Sequence, residues 1–158
     1  MHEVKKIKAA GLFSLVTELL DQGQSARIIV SGNSMYPFLR DGIDSAEFTK
    51  SSFEQVRRGD IVLIRRTDGY YVMHRIFRKK KNSFFIIGDA QQWIEGPLTP
   101  NQLIAVVPVI WRKEKRILCS NRWWCLLVRL WLILRPFRYF ILKVYRKIRK
   151  LYKKSSKS

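Results

Sequence analysis

The sequence predicts a mainly β domain, preceded by a short helix and followed by a basic, amphipathic helical tail. Three observations carry this reading. Short apolar runs rich in Val, Ile, Phe and Tyr alternate with Gly-, Asp- and Asn-containing turn signals through the middle of the chain. Helical periodicity precedes them. Charge is unevenly spread: of the net +19 over 158 residues, residues 1–110 hold 15 Lys and Arg against 11 Asp and Glu, whereas residues 111–158 hold 16 against Glu114 alone. A nearly neutral folded unit, residues 1–110, is therefore expected to carry an appendage, residues 111–158, that seeks an anionic partner, either lipid headgroups or nucleic acid.

From Ile7 to Leu20, the residues Ile7, Leu12, Phe13, Leu15, Val16, Leu19 and Leu20 recur at spacings of one, three and four. This predicts an amphipathic helix ending near Gln22-Gly23. Glu18 and Asp21 interrupt the stretch too soon for a signal peptide or membrane anchor. The β-rich run Ala26–Val30 meets the strand-breaking cluster Ser31-Gly32-Asn33, which delivers Ser34 at the strand's end. Further strands are expected over Ile61–Ile64, over Tyr70–Met73 leading to His74, over Phe84–Ile87 and over Leu103–Trp111. The signals Arg58-Gly59-Asp60, Asp68-Gly69, Lys81-Asn82-Ser83 and Gly96-Pro97 separate them as turns. Thr67-Asp68-Gly69 predicts a hairpin with Asp-Gly at the positive φ angles of a tight turn. The Lys/Ser-rich end, Lys153–Ser158, is expected to be disordered.

Cys119 and Cys125 lie outside the expected core and read as reduced thiols, since nothing in their spacing supports a disulfide. With His2 and His74 far apart in the chain and no second Cys pair, no zinc ligand set is formed, and neither metal nor cofactor is expected.

A serine hydroxyl is a poor nucleophile until a neighbouring base takes its proton, so a candidate Ser must be matched with a base. His74 is the histidine placed on an ordered element. Taken alone it reads as a structural or surface residue, and Ser34 as a turn residue. The flanking residues change this. Ser31-Gly32-Asn33-Ser34-Met35-Tyr36-Pro37-Phe38-Leu39 resembles the first signature of type I signal peptidases, a Ser-Met pair followed by Pro and an apolar residue. Arg58-Gly59-Asp60-Ile61-Val62-Leu63 resembles that family's Gly-Asp-apolar strand, Met73-His74-Arg75-Ile76 its general-base box, and Ile87-Gly88-Asp89-Ala90 its Gly-Asp box. The four boxes occur in order within about residues 27–108.

The resemblance implies a β-barrel-type catalytic domain shared by signal peptidases and self-cleaving repressors of the LexA type. It further implies a serine endopeptidase that removes a leader, signal or pro-segment from a peptide or small protein. Because the base position holds His74 and not Lys, the chain is similar to the histidine type found in the endoplasmic reticulum and in archaea. Ser34 would be the nucleophile and His74 the base, with Asp89 and Glu95 as acids that orient the imidazole. Glu95 stands where the family usually has Asp, and Asp89 has a second reading as a turn-capping structural residue. The Ser34 N–H would serve as oxyanion donor on the loop of Gly32, Asn33, Met35 and Pro37, although some relatives carry a hydroxyl where this chain has Gly32. The different-class alternative is a catalytically inactive peptide-binding or regulatory module of the same fold. Trp93 either lines a peptide cleft or covers the barrel edge.

Within the tail, Arg129, Arg135, Arg138 and Lys143 interrupt every window long enough to cross a bilayer. Trp, Leu and Phe interleaved with cations suit a helix lying in the headgroup region, broken in two at Pro136. Leu126, Leu127, Val128, Leu130, Leu132, Ile133 and Leu134 favour lipid over nucleic acid as the partner. The expectation is peripheral attachment to anionic lipid at the cytoplasmic face, through a tail that can be removed without touching the chemistry.

Overall fold

A computed structural model describes the backbone of residues 2–155 and the side chains of residues 11–148. Helix α1 (His2–Asp21) opens the chain and begins earlier than its periodicity indicates. The side chain of Ile7 lies outside the described residues. Eight strands follow: β1 (Ala26–Ile29), β2 (Asp44–Thr49), β3 (Ile61–Arg65), β4 (Tyr71–Lys79), β5 (Phe84–Ile87), β6 (Glu95–Leu98), β7 (Leu103–Arg112) and β8 (Lys115–Leu118). They form one antiparallel sheet in the order β1-β2-β7-β3-β4-β5-β6, with β8 beside the second half of β7. The sheet does not close, because β1 and β6 are its edges and do not pair. The expected mainly β domain with helices at both ends is what the chain forms, and its sheet is open.

The strand β3 explains how the sheet builds its core. Ile61 and Leu63 join one apolar cluster with Val16 and Leu20 of α1, while Val62 and Ile64 join a second with Ile76, Phe84 and Ile86. A strand buried on both faces reads as a continuous apolar run instead of an alternation. The turn between β3 and β4 has Gly69 at φ 85°, with the Gly69 N–H donating to the Arg66 carbonyl at 2.9 Å. Asp68 keeps a negative φ and accepts the Tyr70 N–H at 3.0 Å, so the expected Asp-Gly tight turn is corrected to a wider one. The strand β4 also continues through His74 to Lys79, placing that histidine mid-strand.

Gly96-Pro97, expected as a turn, lies inside β6, where an edge position tolerates a residue lacking an N–H. The boundary expected at residue 110 falls within β7, and β8 extends the sheet to Leu118. Beyond it α2 (Arg122–Ile133) is capped by Asn121, whose side-chain oxygen accepts the Trp123 N–H at 2.9 Å. Pro136 sits in a 3₁₀ turn, Arg135–Phe137, which separates α2 from α3 (Arg138–Ser155). Lys153 to Ser155 continue α3, correcting the expectation of disorder there; residues 156–158 lie outside the described residues.

The tail is also part of the packed body. Val128 and Leu132 of α2 form a third apolar cluster with Ile87 of β5, flanked by Phe38, Phe77, Ile94 and Trp124. Truncating a core leucine costs about 2–5 kcal/mol through lost burial and the cavity left behind. Leu132→Ala is therefore expected to lower the unfolding free energy by about 2–5 kcal/mol in urea titration. A change below about 0.5 kcal/mol, the usual surface value, would show that α2 is detachable.

Candidate active site

Ser34 stands where an exposed turn becomes a buried one. Gly32, at φ 92°, donates its N–H to Asp41 Oδ1 at 2.9 Å. Immediately beyond Ser34, Met35 and Leu39 are buried in the α1-side core, and the Leu39 N–H donates to the Met35 carbonyl at 2.9 Å. These contacts fix a half-buried Ser34 between solvent and core. Its carbonyl accepts the Ala90 N–H at 2.8 Å, which ties it to the loop after β5. Among the described residues its own N–H meets no protein acceptor, so that donor is available to a ligand.

His74 lies opposite Val62 in the β3–β4 pair. Ser34 and His74 line one cleft of about 460 Å³, together with Met35, Tyr71, Arg66 and Gln91. The imidazole is 5% exposed and its Nδ1 has no hydrogen-bond partner. Burial pushes its pKa from 6.5 down to about 4; the Glu95 carboxylate opposes this, Arg66 adds to it and Asp89 opposes it weakly. At pH 7 His74 is consequently a neutral base.

The two candidate orienting acids are engaged elsewhere. Both carboxylate oxygens of Asp89 accept from Arg75, at 2.9 Å from Nε and 2.6 Å from Nη2, in a pair fully removed from water. Arg75 also donates to the Gly59 carbonyl at 2.6 Å, so the Gly59-Asp60 box acts here through its backbone. Glu95 accepts two bonds from Arg66, at 2.6 and 2.5 Å. Glu95 reaches His74 through its field, and the lining residue is Arg66. Trp93 is 65% exposed and is not part of the cleft lining.

Arg66, Arg75 and Gln91 were not singled out by sequence reasoning. Arg75 had a signal in adjoining His74, whereas Arg66 had none, being one of two arginines ending a strand. The Gln91 Oε1 is buried without a partner beside the cleft. Cys119 and Cys125 are free thiols, with Cys125 Sγ donating to the Cys119 carbonyl at 3.3 Å. Among the described residues no three His, Cys, Asp or Glu side chains cluster as a metal site. Comparison with family models and with curated proteins finds no match to this chain.

A histidine whose folded pKa is depressed contributes stability that is present above its unfolded pKa and lost as pH falls toward the folded value. Wild type should lose on the order of 3 kcal/mol between pH 7 and pH 4 through this group. In His74→Gln that component should vanish. Parallel urea titrations of the two proteins across this range check it, and identical pH dependences would contradict the buried neutral imidazole.

Proposed function

We propose that the chain is a serine endopeptidase of the signal-peptidase-like kind, cleaving a leader, signal or pro-segment by a Ser34/His74 mechanism. The observation that carries this reading is that a serine with an uncommitted backbone N–H and a neutral histidine line one cleft. The finer fold assignment, to the type shared by signal peptidases and LexA-like repressors, belongs to the same proposal and rests on the four sequence boxes.

In this mechanism His74 takes the Ser34 Oγ proton as the oxygen attacks the scissile carbonyl. The tetrahedral oxyanion is met by the Ser34 N–H. The imidazolium then gives its proton to the leaving amine, and water, activated by the same imidazole, releases the acyl group from Ser34. Glu95 supplies the larger negative field at the imidazolium, and Arg66 holds that carboxylate in place.

The alternative, a non-catalytic peptide-binding or regulatory module, is favoured by one observation: Asp89 and Glu95 are each held by an arginine, and Nδ1 of His74 has no orienting partner. A fluorophosphonate probe separates the two. Wild type should be labelled and Ser34→Ala should not, while His74→Ala should lose at least about three orders of magnitude in rate. The acid limb of the labelling profile should fall near pH 4 and not near 6.5. Absence of labelling with lipid and with detergent would favour the module.

The cellular setting we propose is the surface of an anionic membrane, at the cytoplasmic leaflet. Exposed apolar stripes support it: Trp123, Leu127, Leu130 and Ile133 on α2, and Phe140, Val144 and Ile148 on α3, flanked by Lys143, Arg146 and Lys147. Among the described residues no helix is long and apolar enough to cross a membrane. Binding should combine roughly 1 kcal/mol per near-surface cation with burial of these side chains, so it weakens in salt but persists. Sedimentation with anionic vesicles at low and high salt should show this, and Phe140→Asp with Val144→Asp should reduce binding at least tenfold. Equal binding by the double variant would remove the tail from the interface.

A further inference from the structure

We infer that the helical tail is the clamp that positions the Ser34 loop, with Arg138 as its central positioning residue. The catalytic meaning of this clamp rests on the protease reading above; the positioning itself does not.

Arg138, the first residue of α3, is fully buried. Its Nη1 donates to the carbonyls of Gly88 at 3.2 Å and Gln91 at 3.1 Å. Its Nε and Nη2 donate to the Trp131 carbonyl at 3.2 and 3.1 Å. Trp131 Nε1 in turn donates to the Asp89 carbonyl at 2.9 Å, and Arg135 Nη1 to that of Gln92 at 3.0 Å. Four of the five carbonyls from Gly88 to Gln92 are thus held by the corner between α2 and α3.

What that loop touches gives the clamp its meaning. The Ala90 N–H donates to the Ser34 carbonyl, Gln91 lines the cleft, and Asp89 grips the arginine that follows His74. A second set of contacts runs directly from tail to nucleophile loop. Phe38 packs edge-on against Trp124 and Trp131, at 5.2 and 6.0 Å between centroids, and Tyr36 meets Tyr145 at 5.9 Å. Burying a guanidinium is costly, and this one makes its hydrogen bonds to carbonyls and none to a carboxylate. Five donors in a planar fork are what a lysine could not supply at three separate carbonyls.

The clamp replaces the expectation of a removable tail. The test uses the full chain and two readouts, amide hydrogen exchange and fluorophosphonate labelling of Ser34. Arg138→Gln should speed exchange of the Ala90 amide at least tenfold while the Leu63 amide in β3 stays at its wild-type rate, and should slow labelling at least tenfold. Trp131→Phe, which removes one donor and keeps most of the ring, should move both in the same direction by a smaller factor. Arg129→Gln, an exposed charge loss on α2, should change neither. If Arg138→Gln fails to fold, Trp131→Phe and Arg135→Gln decide. Wild-type exchange at Ala90 in the variants that fold, or an equal rise at Ala90 and Leu63, would overturn the clamp. An unlabelled wild type would sink the protease reading and leave the exchange result to judge the clamp.

Discussion

The geometry of the cleft depends on one ion pair out of water. Arg75 and Asp89 are 1% and 0% exposed at their side chains, and each charge would cost several kcal/mol to bury alone. Two short parallel bonds, with a third from Arg75 to Gly59, offset that cost. Arg75 adjoins His74 on β4, and Asp89 belongs to the loop that bonds Ser34. The pair therefore ties the strand that carries His74 to the loop that holds Ser34. The same commitment removes Asp89 from the role of orienting the imidazole, because its acceptors are filled. Arg66 does this to Glu95 at a more exposed place, where the pair leaves a residual field at His74.

A nearly neutral sheet and a strongly cationic helical segment are held together by apolar packing and not by charge. Ile87 meets Val128 and Leu132, while most of the tail's cations among the described residues are exposed. Arg138 is fully buried. Burial lowers its pKa to about 10, with the field of Asp89 opposing, so it remains protonated at neutral pH and keeps all its donors. Three guanidiniums thus hold the 88–92 loop, Arg75 through the Asp89 carboxylate and Arg135 and Arg138 through backbone oxygens.

Much of this arrangement can be read in the chain, and the failures have definite causes. The strands β1, β3, β5 and β7 are apolar runs found within two residues of their expected bounds, whereas β4 runs six residues beyond the expected Met73 because its second half carries Arg75, Arg78 and Lys79. The strand β2 was missed because Asp44-Ser45-Ala46-Glu47-Phe48-Thr49 is polar. It lies inside the sheet because Arg40 neutralises the buried Asp44 with bonds of 3.1 and 2.7 Å. The strand β6 was hidden by Gly96-Pro97, and β8 by two basic residues at its start. In the cleft, the residue types of Ser34 and His74 were legible, whereas Ser34, expected at a strand end, lies in the turn beyond β1, and His74, expected just after a strand, lies inside β4. The arginine partners of Asp89 and Glu95 were not legible, since they lie 14 and 29 residues away in sequence and pairing depends on which face each side chain takes. Arg138 reads as one more solvated cation because its partners in the 88–92 loop lie 50 and 47 residues earlier.

Gly88 sets how freely this part of the chain can drift over evolutionary time. A β-carbon there would come within 2.8 Å of the Ser34 carbonyl oxygen and 2.6 Å of the Gln91 side chain. The glutamine could swing away; the backbone oxygen could not without moving the serine itself. Even alanine, the smallest step open to a mutating codon, would displace the backbone of Ser34. Five residues on, Trp93 projects mostly into solvent with no comparable restraint. Lineages descended from this chain should hold one position invariant and let the other wander, a contrast created by the space left for a single methyl group.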